Sequence, residues 1–180
     1  MPSLLTCLLG KKLCKDHSEN HWELRDLSAS LIGQVVKDYG MSYHTLLQRL
    51  ARTFLRTLLD PSKPSESHYG AIKGLFILGQ ETVRVLLLPN VKAFSALTQV
   101  ELGSSDQVVV ESARMCLTTL SQLMCDYAKS MKSQDPSQNT NSVNNSDSDV
   151  SKLRSEYGKF VSDYIVSQPD FSQWCNYLIN

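Results

Sequence analysis

Apolar residues return every three or four positions along most of this 180-residue chain. That is the period of an α-helix with one buried face; a half-buried strand would alternate at two. Between Trp22 and Tyr39, the residues Leu24, Leu27, Leu31, Val35 and Tyr39 repeat this way, with Ile32 beside them. They predict a helix whose core face is that stripe, ended by Gly40. Ser42 is placed to cap the next helix, Tyr43 to Leu59, where Leu46, Leu47, Leu50, Phe54, Leu55, Leu58 and Leu59 form a broad apolar band. Its other side carries Gln48, Arg49, Arg52 and Arg56.

The same reading covers the rest. Pro2 to Leu9 predicts a short first helix before Gly10, and Lys11 to Asn20 is turn-like. Asp60-Pro61-Ser62-Lys63-Pro64-Ser65 breaks the chain before a helix from about Glu66 to Leu78, stopped by Gly79. Helix resumes near Glu81, and Pro89 predicts a kink or break ahead of Val91 to Leu102. Ser105 or Asp106 caps a long helix from Gln107 to about Met131. Residues 133–149 are rich in Ser and Asn, with one apolar residue before Asp149, Val143, and are expected to be a disordered loop. Ser146-Asp147-Ser148-Asp149 within it is a solvated acidic stretch and a phosphorylation candidate. Val150 to Ile165 reads as one helix, and Phe171, Trp174, Cys175 and Leu178 as a last short one.

Helix pairs begin near Trp22, His68 and Gln107, separations of 46 and 39 residues. HEAT-type helical hairpins repeat with a period of ~40–47 residues. The expected fold is therefore all-α, a solenoid of about four to five HEAT-like helix pairs forming one domain over 1–180.

Composition narrows the function classes. Lys+Arg number 18 and Asp+Glu 18, a zero balance that argues against a chain whose whole surface binds nucleic acid. The basic excess sits in 1–132 and the acidic excess in 133–180. No run approaches 18 apolar residues, so no membrane-spanning helix is expected, and the leucines at the start precede Lys11 and Lys12, the reverse of a signal peptide. The five cysteines form no CxxC pair. Cys14, His17 and His21 have a spacing that could supply part of a zinc site, but no fourth ligand is nearby, and no metal or cofactor is assigned. Phosphate loops, HExxH and GxSxG are absent, and no nucleophile–base arrangement is evident, so no enzyme is expected. Arg49, Arg52 and Arg56 project from one helix face. The plain reading is a solvated face; the functional one is a strip for an acidic partner helix or DNA phosphates. Gly70 and Gly74, four apart in one helix, point to close helix packing or to the floor of a groove.

Three blocks carry a family resemblance. They are Pro2-Ser3-Leu4-Leu5-Thr6-Cys7-Leu8 with Leu13-Cys14, then Asn20-His21-Trp22-Glu23-Leu24-Arg25-Asp26-Leu27-Ser28-Ala29, then Tyr69-Gly70-Ala71-Ile72-Lys73-Gly74-Leu75 with Leu78-Gly79 and Leu87-Leu88-Pro89. In this order, over residues 2 to 100, they resemble the C-terminal HEAT-repeat domain of subunit six of the general transcription factor TFIID. The resemblance implies a nuclear, non-catalytic scaffold in RNA polymerase II initiation that contacts other TFIID or SAGA subunits. It also implies a histone fold that pairs with another subunit. No such fold lies in these residues, as expected if Met1 begins a fragment. Leu27-Ser28-Ala29-Ser30 departs from the family's aromatic and two alanines, which predicts looser packing. Candidate partner-binding residues are Trp22, Arg25, Asp26, Arg49, Arg52, Arg56, Tyr69 and Lys73; direct DNA contact through the arginines is the alternative.

Overall fold

A computed structural model describes residues 1–14, 20–43, 45–134, 147–169 and 171–179. Every regular element among them is helical. They form two compact units, 1–116 and 117–180.

The first unit holds α1 (Pro2–Leu9), α2 (Trp22–Tyr39), α3 (Leu46–Leu58), α4 (Ser65–Ile77), α5 (Gln80–Thr82), α6 (Val91–Leu102) and the start of α7 (Gln107–Gln134). Helix α4 is its centre and packs on α1, α2 and α3. Its small residues allow this. A Cβ on Gly70 would stand 2.0 Å from the Leu8 carbonyl oxygen, and one on Gly74 would stand 2.8 Å from the Phe54 ring. Both glycines are therefore covered by neighbouring helices, and close packing is their role. Around them Leu50, Phe54 and Leu58 of α3 meet Ala71, Ile72 and Leu75 of α4 in a solvent-free core.

Helix α2 spans the expected residues but turns a different face inward. Its buried residues are Arg25, Ser28, Ala29 and Ile32, while Leu24, Leu27 and Leu31 are 41%, 57% and 41% exposed. The reason is size. Gly33 lies so near Ile77 of α4 that a Cβ would stand 2.4 Å from it, and α2 reaches α1 and α4 over Ser28 and Ala29 rather than over leucines. The packing at Leu27-Ser28-Ala29-Ser30 is accordingly not loosened. Leu27 faces outward, and the buried Ser28 hydroxyl donates to the Leu24 carbonyl at 2.7 Å.

Other boundaries follow local chemistry. Helix α3 begins at Leu46, behind Thr45, rather than near Tyr43. Gly79, at φ 112°, ends the α4 segment in the conformation that glycine tolerates best. Pro89 does break the helix. The chain passes through a π turn, Val83–Leu87, and a 3-10 turn, Leu88–Asn90, before α6, and the Asn90 amide donates to the Leu86 carbonyl at 2.8 Å. Asp106, not Ser105, caps α7, accepting from the Val108 amide at 2.9 Å.

The second unit holds the rest of α7 with α8 (Asp147–Tyr157), α9 (Lys159–Val166), α10 (Phe171–Trp174) and α11 (Asn176–Ile179). The expected single helix over 150–165 is two, divided at Gly158 with φ 85°. The Arg154–Asp163 ion pair, 2.7 Å, bridges that division. Trp174 is buried beside Phe171, ring centroids 5.7 Å apart, and the Tyr157 hydroxyl donates to the Leu178 carbonyl at 2.5 Å. At the edges of the expected loop, Ser133 and Gln134 close α7 and residues 147–149 open α8. The remainder of that loop, Ser146 included, lies outside the described residues, as does His17.

Candidate partner-binding surface

The start of α2 is fixed by its own side chains. Asn20 accepts from the Trp22 amide at 3.2 Å, satisfying one of the groups that a helix N-terminus leaves open, and donates to the Glu23 carboxylate at 2.8 Å. This puts Trp22 and Arg25 in the first turn and Asp26 just after it, facing α1 and α4.

Arg25 is fully buried. Its Nη1 donates to the Leu8 carbonyl at 2.6 Å, its Nη2 to the Gly10 carbonyl at 2.8 Å and its Nε to His21 Nδ1 at 3.3 Å. Between them, Ser67 of α4 donates to the Leu9 carbonyl at 2.9 Å. Three successive carbonyls at the end of α1, which have no partner within that helix, are thus held by side chains of α2 and α4. The cation also favours the negative end of the α1 dipole. Burial pulls the Arg25 pKa down from its ordinary value, and Glu66 opposes that shift. Tyr69 is buried as well, and its hydroxyl donates to Asp26 Oδ1 at 2.8 Å. Both side chains are engaged inside the fold and present little surface to a partner.

The other members of this cluster reach solvent. Lys73 pairs with Asp26 at 3.1 Å, the two side chains 25% and 45% exposed. Lys73 Nζ also stands 5.5 Å from the Tyr69 ring centroid. Half-buried Trp22 packs edge-on against Tyr69 at 4.8 Å and lies 4.3 Å from the His21 ring. The five residues taken from the two most specific blocks therefore meet in one place, where α2 crosses α4. Arg49, Arg52 and Arg56 stand apart from them, all exposed on α3. Among the described residues no ion pair engages the three arginines.

Beside Trp22 opens a cleft of about 400 Å³ that the sequence did not reveal. His21 and Trp22 form one wall, Val108, Glu111, Ser112 and Met115 of α7 another, and Glu66 of α4 lies between. Glu66 accepts the Ser112 hydroxyl at 3.0 Å. These residues are up to 94 positions apart, and neither period nor motif joins Trp22 to Met115. Among the described residues, no three of His, Cys, Asp and Glu approach closely enough to hold a metal ion. No helix of the described residues is long and apolar enough to cross a membrane.

Comparison with known proteins adds a second, independent line. The fission yeast Schizosaccharomyces pombe protein named "SAGA complex/transcription factor TFIID complex subunit Taf6" is 43% identical over 121 residues, 67% of this chain and 27% of that protein. The Arabidopsis thaliana "Transcription initiation factor TFIID subunit 6" is 47% identical over 107 residues, 59% of this chain and 20% of that one. A Drosophila melanogaster protein of the same name is 35% identical over 96 residues, 53% of this chain and 16% of its own. The chain thus spans about a quarter or less of the length of these relatives. The family model of the TAF6 C-terminal HEAT repeat domain matches residues 1–92, a stretch that contains the Arg25 clamp, the Trp22–Tyr69 cluster and the arginine strip. The chain belongs to the family of the TAF6 C-terminal HEAT repeat domain.

Proposed function

We propose that this chain is a non-catalytic scaffold domain in the nucleus, joining other subunits of a TFIID or SAGA-type assembly during RNA polymerase II initiation. The carrying observation is membership of the TAF6 C-terminal HEAT repeat family, in a chain whose described elements are all helical. Relatives named as subunits of TFIID, and in one case also of SAGA, support the choice of assembly. Trp22, Asp26 and Lys73 are the members of the α2–α4 cluster with solvent access, and they are the proposed partner-facing residues there. In the protein that carries this domain, a histone fold outside these residues pairs with a further subunit. The test is retention of purified TFIID and SAGA subunits by the immobilised, folded chain. Retention of at least one is expected, and retention of none would overturn the reading.

The exposed line Arg49, Arg52 and Arg56 favours a second reading, direct contact with promoter DNA. Three phosphate contacts give a salt slope of about −3 at most. A mobility-shift titration at two salt concentrations checks it, and binding that survives Arg49→Glu with Arg52→Glu rules it out.

A further inference from the structure

The cleft beside Trp22 has a composition that selects a ligand. Its apolar surfaces are the Trp22 ring and the side chains of Val108 and Met115, the last two 38% and 40% exposed. The charged residues that line it are both acidic, Glu66 and Glu111. Glu111 and Met115 are one helical turn apart on α7, so a carboxylate and a thioether point to the same side. Glu66 is held by Ser112 through Oε1. A half-buried tryptophan and a flexible methionine are suited to receiving an apolar side chain, and carboxylates at the edge suit a cation.

From this we infer that the cleft docks a segment of a partner protein in which one large apolar side chain is flanked by lysine or arginine. The apolar side chain enters between Trp22 and Met115, and the flanking cations meet Glu66 and Glu111. Charge complementarity commits the site to this occupant. An acidic peptide or a nucleic-acid backbone would set like charges against two carboxylates, which is destabilising. A neighbouring cleft shares Glu66, Val108 and Ser112 and is lined further on by Lys11, Lys12, Glu101 and Asp106, a mixed set of charges that does not oppose a basic ligand.

The inference rests on the scaffold reading and deepens it by naming the chemistry of one partner segment. Its test uses the 180-residue chain and three fluorescent peptides: one with a central Leu flanked by Arg and Lys, one with those cations replaced by Glu, and one with the Leu replaced by Ala. The basic, Leu-bearing peptide is expected to bind, and each altered peptide to bind about tenfold or more weakly. Glu111→Lys and Met115→Asp lie on an exposed face of α7 and are expected to leave thermal unfolding unchanged while each weakens binding about tenfold. Methyl NMR signals of Val108 and Met115 are expected to shift. Equal binding of the basic and acidic peptides, binding unaffected by both variants, or no binding of the basic peptide would overturn the inference. If the chain still retains TFIID or SAGA subunits when the peptide does not bind, the cleft assignment fails and the scaffold reading stands.

Discussion

At the scale of single residues, Arg25 and Gly70 account for much of why two blocks of the sequence have the composition they do. Arg25 places a guanidinium fork on two carbonyls, a geometry that a lysine cannot reproduce. Arg25→Met would leave buried acceptors without donors and is expected to lower unfolding free energy by about 3 kcal/mol, read from urea denaturation. Gly70→Ala gains ~1 kcal/mol of helix propensity but forces a methyl group onto the Leu8 carbonyl, and a net loss of about 2 kcal/mol is expected in the same assay. The thiols divide by burial. Cys116, Cys125 and Cys175 are buried while Cys7 and Cys14 are half-exposed, so a thiol reagent at pH 8 should modify two cysteines in the native chain and all five after denaturation. Burial pushes the Cys125 thiol from an ordinary value of 9.0 up to about 11, and raises Cys116 and Cys175 too. The folded state therefore holds protons that the unfolded state releases. These groups' contribution to stability is complete below pH 9 and declines as pH rises toward 11, which denaturation midpoints across that range would register. Cys125→Val is expected to flatten the decline.

Among the helices, α2 shows how a correct period can carry an incorrect face. The leucines at positions 24, 27 and 31 make the more apolar stripe, yet the small residues Ser28 and Ala29 let neighbouring backbones approach. Tight contact won over the larger transfer gain of three leucines. The two faces differ sharply in expected sensitivity. Ile32→Ala is expected to cost about 2–4 kcal/mol because its side chain is wholly enclosed, whereas Leu27→Ala should stay within about 0.5 kcal/mol. Thermal melts of the two variants side by side decide it, and equal losses would restore the leucine face to the core. The interruption from Val83 to Asn90 was legible as a proline signal, but not its form. The chain takes a π turn and then a 3-10 turn there, with the Asn90 side chain donating to the Leu86 carbonyl.

For the molecule as a whole, charge sets behaviour in solution. The balance is zero and the sequence pI about 6.9, so the chain carries little net repulsion at neutral pH. Solubility in a polyethylene glycol titration at low salt is expected to pass through a minimum near pH 7 and to rise on either side. The same balance is why a basic strip matters only locally. Arg49, Arg52 and Arg56 are an exposed patch on a neutral chain, and the field of such a patch is screened beyond about a Debye length at physiological salt.

What the amino-acid order determined by itself was the helical class, the positions of most breaks and the family. These rest on period, on turn residues and on short motifs, all of which are local. Only the tertiary structure decided which face of α2 is buried, that Arg25 and Tyr69 belong to the interior, that Gly158 divides a helix, and that Trp22, Glu66, Glu111 and Met115 share one cleft. Periodicity ranks faces by hydrophobicity, but burial is settled by how closely backbones approach, which depends on residues tens of positions away. A cleft is the space several helices leave between them, and it exists only once they have packed.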